Sequence, residues 1–465
     1  MDPGNAGKCA RDSVEFYSIF TSAIYNPRFE RTDFRCLIGS ECKKPRDRGR
    51  KRFQVKRPVL LLGFAPRIIV PVSRSLRRHG VPVDVASFRG SPGIYSSAIQ
   101  ECRSLQRPDL DRKEFARQLR RFIVERAHDM LIPTDDWMLT AVVQHYDDLA
   151  DLLHIACPPP AITRLVLDKT ETLKIAQSCG IPVPQTVVVS KSAELRDLIG
   201  GLPFPWIVKP AQRETRTEEL KTCILSTAGD IAKSFPVGRE FVPPMLVQEY
   251  CAGTGVGVEI LLHQGECIAA FQHRRLKELP YTGGFSVMAV AEAVNESLLQ
   301  SSLALLHALR WNGIAMVEYR IDAHGRAVLM EVNGRYWGTL SLPILAGLDF
   351  PLYHWQLVHG ERPEIPQSYT IGTTWRWTAG YLGRLYFLLA KSRHSAEARE
   401  VLGKNIRQLR RDFSPSVSDA MWRSSDPIPS IVEVLLTLQY YASYSATRVL
   451  ERLHHRNGPL TNLSA

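Results

Sequence analysis

Between residues 58 and 134 the hydrophobic pattern alternates short apolar runs with stretches of helical period. Pro58 to Phe64 is a continuous apolar run of strand length, Ile68 to His79 has helical spacing ending at Gly80, and Val81 to Ala86 opens another strand. That order is a βαβ unit of a parallel sheet. Glu114 to Ala127 predicts a helix with a basic outer face, and Asp129 to Thr134 a further strand, so this part reads as a Rossmann-like half. Its first turn, Gly63-Phe64-Ala65-Pro66, lacks the GxGxxG fingerprint, which argues against a nicotinamide dinucleotide. Cys157-Pro158-Pro159-Pro160 breaks the pattern, because consecutive prolines exclude helix and favour an extended connector. A domain boundary is expected there.

The middle of the chain changes period. Leu167 to Gly180 predicts one helix with a glycine stop, followed by strands at Gln185 to Val189, Pro205 to Pro210 and Met245 to Tyr250. Gly253, Gly255 and Gly257 then permit tight turns or close approach of a flat ligand. Ile314 to Ile321 and Val328 to Asn333 read as a hairpin around Asp322 to Arg326. With a four-residue loop, Glu318 faces Glu331, Glu331 and Asn333 share a face, and Met330 and Val332 point into a core. Opposed like charges in a sheet are destabilising, by roughly 4 kcal/mol for unit charges about 4 Å apart at an effective dielectric near 20. Such a pair calls for a cation, and an all-oxygen donor set suits Mg2+ or Mn2+ better than Zn2+. The competing reading places each glutamate on a solvated face or pairs it with Arg320 and Arg335. Lys209, where a strand ends, is placed to meet a phosphate as a point charge or to snorkel at the surface. The polar, basic loop Ala211 to Thr217 is a candidate cover for an anion.

Composition narrows the class. The chain's 465 residues exceed a usual single core, and 45% hydrophobic with 23% charged residues is ordinary for a globular protein. No run approaches a membrane span; the nearest, Ile431 to Ala442, is interrupted by Glu433 and Gln439. No apolar leader opens the sequence, and nine cysteines without CxxC pairs read as reduced thiols, so a cytoplasmic protein is expected. The formal net charge of +12 is uneven: residues 1–57 hold fourteen Lys or Arg against seven Asp or Glu. That basic head reads as a solvated, partly disordered extension, with contact to nucleic acid or an anionic membrane as the sharper alternative. No nucleic-acid-binding motif accompanies it.

Four features in order resemble the ATP-grasp superfamily, in its carboxylate-amine ligase branch with a carbamoyl-phosphate synthase-like ATP-binding domain. They are Asp168-Lys169 before a helix ending Cys179-Gly180-Ile181-Pro182-Val183-Pro184; Val208-Lys209-Pro210; Val247-Gln248-Glu249-Tyr250; and Glu318 followed by Glu331-Val332-Asn333-Gly334-Arg335-Tyr336-Trp337-Gly338. The likeness covers roughly residues 58 to 360. It implies a mixed α/β and α+β fold: a Rossmann-like preATP-grasp domain at 58–157, a two-subdomain ATP-grasp fold at 158–362 clamping ATP between antiparallel sheets, and a mostly helical extension at 363–465. It further implies that Lys169 and Lys209 contact the nucleotide phosphates, that backbone of Gln248, Glu249, Tyr250 and Cys251 reads adenine, and that Glu318, Glu331 and Asn333 bind Mg2+. Arg335 would hold the transferring phosphoryl group or an acyl phosphate. The implied reaction activates a small-molecule carboxylate as an acyl phosphate for attack by an amine; use of another acceptor, or a non-catalytic ATP-binding regulator, is the alternative. Oligomeric state is left open, a homo-oligomer being compatible.

Within the segment Phe271 to Ser286, Arg275 suits a substrate carboxylate through its planar fork, and His273 is a candidate base or a structural hydrogen-bonding group. Two departures stand out. The ribose-contacting glutamate of many family members is replaced by Val256 and Gly257, with Glu259 the available substitute, and the loop after Lys209 lacks glycines, leaving closure to Arg213 or Arg216. Beyond Gly360, Trp375 to Leu389 and Ile431 to Leu453 predict helices used in core packing, or in peripheral membrane contact, with no chemistry assigned.

Overall fold

The computed structural model describes residues 56–212, 222–236 and 238–456, with side chains followed to residue 445. The basic head up to residue 55, with its expected polyanion contact, and Arg213 to Thr217 of the predicted cover lie outside the described residues. Strands β1 (Val59–Leu62), β2 (Val83–Ser87), β3 (Cys102–Ser104), β4 (Met130–Pro133) and β5 (His154–Ile155) form a parallel sheet in the order β3-β2-β1-β4-β5. Every residue of β1 and β4 is buried, as continuous apolar runs demand of a sheet covered on both faces. Helix α1 (Pro66–Arg78) opens with a proline and stops before Gly80 at φ +73°, and α2 (Arg112–Arg126) joins β3 to β4. Helix α3 (Asp136–Gln144) is capped by Asp135, whose carboxylate accepts from the Met138 N–H at 3.0 Å.

The proline run behaves differently from expectation at its end. Helix α4 (Pro160–Leu167) starts on Pro160, since a proline costs nothing at a first helical position where the N–H has no partner anyway. The helix expected over Leu167 to Gly180 is present, starting at Lys169 and ending before Gly180 at φ +74°. Asp168 leaves the helical region (φ −92°, ψ 108°) and its side chain accepts from the Thr170 N–H at 2.8 Å, capping a second helix, α5 (Lys169–Ser178).

A four-stranded antiparallel sheet follows, in the order β6-β9-β7-β8 (Thr186–Lys191, Glu240–Glu249, Trp206–Pro210, Cys223–Leu225). The central sheet has seven strands in the order β14-β13-β10-β11-β12-β15-β16: β10 Thr254–His263, β11 Glu266–Leu279, β12 Phe285–Glu292, β13 Gly313–Ile321, β14 Ala327–Asn333, β15 Thr374–Arg376 and β16 Val417–Asp419. Its last pair is parallel. Gly255 and Gly257 therefore lie inside a strand rather than a ligand-binding loop. Trp375 is likewise in a strand, not a helix: it pairs with Ala289 and is fully buried in the central core.

The extension adds α6 (Thr378–Ser392), α7 (Ala396–Asp412) and α8 (Ile428–Arg456), as well as β15 and β16, the last two strands of the central sheet. It packs as part of the core. One cluster of buried apolar side chains runs from Val59 in the parallel sheet through Phe271 and Trp337 to Trp375 and Tyr441. Polar ties reinforce this: Lys277 pairs with buried Asp412, Arg384 donates to the Glu278 carbonyl, and Asp426 accepts from Arg74 Nε at 2.9 Å and Ser96 Oγ at 2.6 Å. The six described cysteines are free thiols, and no helix among the described residues is long and apolar enough to cross a membrane.

Candidate functional site

Glu318 on β13 and Glu331 on β14 are directly opposed, although simple counting reaches that pairing by a different route. The turn is five residues, Asp322 to Arg326, so that Ile321 faces Ala327, and the register would miss by one. A bulge at Met330 puts the residue back. Met330 consequently sits half-buried instead of in the core, whereas Val332 is buried as its alternation requires.

Asn333 joins the pair. Its Nδ2 lies 3.0 Å from Glu318 Oε1 and 3.3 Å from Glu331 Oε1, while Oδ1 faces Arg335 Nη2 at 3.4 Å. Turning the amide over, a change that leaves its shape intact, would aim the oxygen at the same point as the two carboxylates. The donor set is then entirely oxygen, which fits a hard divalent ion. No cluster of three or more His, Cys, Asp or Glu able to hold a metal exists among the described residues. Two carboxylates plus an amide are nevertheless the sparse set that Mg2+ accepts when phosphate oxygens and water complete its octahedron.

Arg275, from β11, stands beside this group, paired with Glu318 and 3.1 Å from Glu278 Oε1, and donating to the Gly284 carbonyl at 2.9 Å. Burial alone would lower its pKa, but the carboxylates of Glu318 and Glu278, with Glu331 behind them, raise it. Gly255 makes room for this side chain, since a Cβ there would stand 2.7 Å from Arg275 Cδ. Arg320 pairs with Glu278 at 2.8 Å and Arg335 forms a two-pronged ion pair with Asp136 at 2.7 and 3.0 Å, so neither is the partner of Glu318 or Glu331.

Glu318, Glu331, Asn333, Arg275 and Arg335 border one cavity of about 350 Å3, between the mouth of the parallel sheet, the central sheet and the extension. Sequence reasoning missed several of its walls: Arg67 at the start of α1, Asp135, Trp377 and Glu433. Nothing local marks the first three. Glu433 did leave a signal, as the charge that interrupts an apolar helical run.

The nucleotide-contact candidates gather at the ends of β7 and β9. Lys169 opens α5, its Nζ donating to the Pro210 carbonyl at 3.3 Å and its N–H to Ala211 at 3.2 Å, which sets it beside Lys209. Helix α5 in turn packs on β14, the strand that carries Glu331. Gln248 is buried and donates to Thr186 Oγ1 at 2.8 Å; the Glu249 N–H bonds to Gln185 at 3.0 Å. The Tyr250 N–H bonds to Pro205 at 2.9 Å, and its hydroxyl to the Thr282 carbonyl at 2.6 Å. Burial, aided by Glu249, pushes the Cys251 thiol up to about 11, and Lys209 acts in the opposite sense, which places that ammonium within electrostatic reach.

Glu259 is no substitute for the missing ribose contact. It is wholly buried, accepts from Thr339 Oγ1 at 3.1 Å, and lies 2.9 Å from His273 Nδ1. That approach is out of line, so both ring nitrogens and Glu259 Oε2 have no hydrogen-bond partner among the described residues. Burial pushes the Glu259 carboxyl up, with His273 and Thr339 opposing.

Residues 241–379, from β9 to the start of α6, match a family model described as ATP-grasp in the biosynthetic pathway with Ter operon. That segment is similar to the ATP-grasp family. The chain is 24% identical over 189 residues to a D-alanine--D-alanine ligase from Pelotomaculum thermopropionicum, covering 36% of this chain and 58% of that ligase. The chain thus spans little more than half the length of that relative. In fold it is similar to an L-amino acid ligase from Bacillus licheniformis, with a TM-score of 0.52 and 18% identity over 66% of this chain and 75% of that one. It is also similar to the biotin carboxylase domain of a Hydrogenobacter thermophilus 2-oxoglutarate carboxylase, solved with MgADP and bicarbonate, with a TM-score of 0.54 and 12% identity over 69% and 74% of the two chains.

Proposed function

We infer that this chain is an ATP-grasp, ADP- and phosphate-forming ligase that joins a small-molecule carboxylate to an amine. The observation that carries the reading is the meeting of Glu318, Glu331, Asn333 and Arg275 at one wall of a cavity whose other walls hold Arg335, Trp337 and Trp377. Phosphoryl transfer asks the protein for positioning and charge neutralisation more than for a covalent nucleophile. Lys169 and Lys209 would hold the nucleotide phosphates, and the Gln248 to Cys251 backbone the adenine. Glu318, Glu331 and Asn333 would hold Mg2+, which when bound neutralises phosphate charge. Arg275 would orient the substrate carboxylate through its planar fork, and Arg335, fixed by Asp136, would face the acyl phosphate. Enclosure by the extension keeps water from that intermediate.

The experiment is product analysis with Mg-ATP, the twenty common amino acids as carboxylates and amines, and simple aliphatic acids and amines. Phosphate released in step with a new amide mass supports the reading. ADP released with no amide across the panel counts against it.

A further inference from the structure

Every extension residue in the central cavity comes from one corner. There Trp377, just before α6, meets Glu433 of α8, and Arg67 of α1 lies across them. The corner is rigidly built. The Arg67 guanidinium sits 3.9 Å above the Trp377 ring, and its Nη1 donates weakly to the Ser286 carbonyl at 3.5 Å. Its other side rests on Gly338, where a Cβ would stand 2.7 Å from Nη1, so the last glycine of the Glu331-to-Gly338 motif is needed to seat an arginine from another domain. Trp377 Nε1 donates to Glu433 Oε2 at 2.9 Å. Among the described residues no second donor reaches that carboxylate, which is 2% exposed and borders the cavity.

A carboxylate hidden from bulk water with one donor on it is costly to keep charged unless a cation comes to it. At the nucleotide end of the cavity Glu318 and Glu331 already have Arg275 and Asn333 against them and would take Mg2+. The far corner is the place left for a positive group, and an amine acceptor enters as an ammonium. Resting on the ligase reading above, the structure assigns this corner as the acceptor subsite, with Glu433 binding the ammonium of a primary amine and taking its proton. One proton passes from R–NH3+ to Glu433, and the nitrogen lone pair forms the C–N bond. The C–O bond to phosphate breaks with its electron pair, and the second N–H proton leaves with phosphate. Arg67 also limits the acceptor: its fixed positive charge beside Glu433 disfavours an amine carrying a second cationic group near the first.

Charged groups facing Glu433 are Arg67 from α1 and Asp419 from β16, besides the Trp377 N–H. The neutral variant Glu433→Gln keeps an oxygen for Trp377 and removes only the charge. It is expected to raise KM for the amine about 10- to 100-fold, the loss of one charge-assisted hydrogen bond. KM for ATP and the rate of acyl phosphate formation, read with hydroxylamine as the trapping probe in place of the amine, stay at the wild-type level. In a second variant, Trp377→Phe, the carboxylate loses its donor, and the rising limb of the pH profile of kcat/KM for the amine moves to higher pH. A purely structural Glu433 would leave that limb in place. Wild-type amide formation with an unchanged amine KM in Glu433→Gln overturns the subsite and leaves the ligase intact; no hydroxamate and no amide from the wild type overturns the ligase reading and the subsite together.

Discussion

The central sheet carries two acidic sites one strand apart, and they are built for opposite ends. Glu318 and Glu331 face each other across β13 and β14 at a cavity wall, with Asn333 hydrogen-bonded to both and Arg275 paired with Glu318. Glu259, on the neighbouring β10, is closed in with His273 and Thr339, and burial favours its neutral form. The open cluster concentrates like charge where a ligand can relieve it. In the closed one only His273 and Thr339 border the cavity; Glu259 itself does not, and both ring nitrogens lack a hydrogen-bond partner among the described residues. A carboxylate count would rank the two alike; what separates them is whether the carboxylates themselves reach the cavity.

The largest effect that could break this contrast is at Glu331. Glu331→Gln is expected to lower ATP turnover by about 100- to 1,000-fold, because the ion it would hold contributes several kcal/mol of charge neutralisation. The metal-free protein should melt no lower than wild type, since one of two opposed charges is gone. Wild-type turnover would place the metal elsewhere. The two glycines of β10 sharpen the comparison. Gly257→Ala drives a Cβ to within 3.0 Å of His273 Nδ1 in the closed site and should destabilise by about 1–3 kcal/mol in denaturant melts. Gly255→Ala instead displaces the flexible Arg275, and should cost about tenfold in kcat/KM with a smaller loss of stability. Equal stability losses would mean the two sites are equally rigid.

The smallest effect is a pH slope. Burial pushes the Glu433 carboxyl from 4.5 up to about 8, against the pull of Trp377 and Arg67. The folded protein holds this proton more tightly than the unfolded chain does. The stabilisation is complete below 4.5 and is lost as pH rises through about 8. Wild type should therefore melt at progressively lower temperature across that window, and Glu433→Gln should flatten the slope in calorimetry.

Local chemistry made much of this legible from sequence. Continuous apolar runs announced the parallel sheet, and Glu331 with Asn333 on alternate positions announced the oxygen cluster. The Glu318 opposition was reached through a turn one residue too short and a bulge not foreseen, two displacements that cancel. Bulges answer to the packing of neighbouring strands, which a single hairpin does not contain. The same limit hid Arg67, Trp377 and Glu433, which meet only once residues more than 300 positions apart are folded together. Gly255 and Gly257 were visible as permissive positions, but the side chains they admit come from β11.

The Asp426 contacts with Arg74 and Ser96 have a consequence for synthesis. A helix made near the beginning of the chain is fastened by a carboxylate made some 350 residues later. A nascent chain emerging at about 5–20 residues per second carries that helix unfastened for tens of seconds, exposing apolar surface that the extension later covers. Chaperone demand during translation should accordingly concentrate on the interval before residue 426 leaves the ribosome.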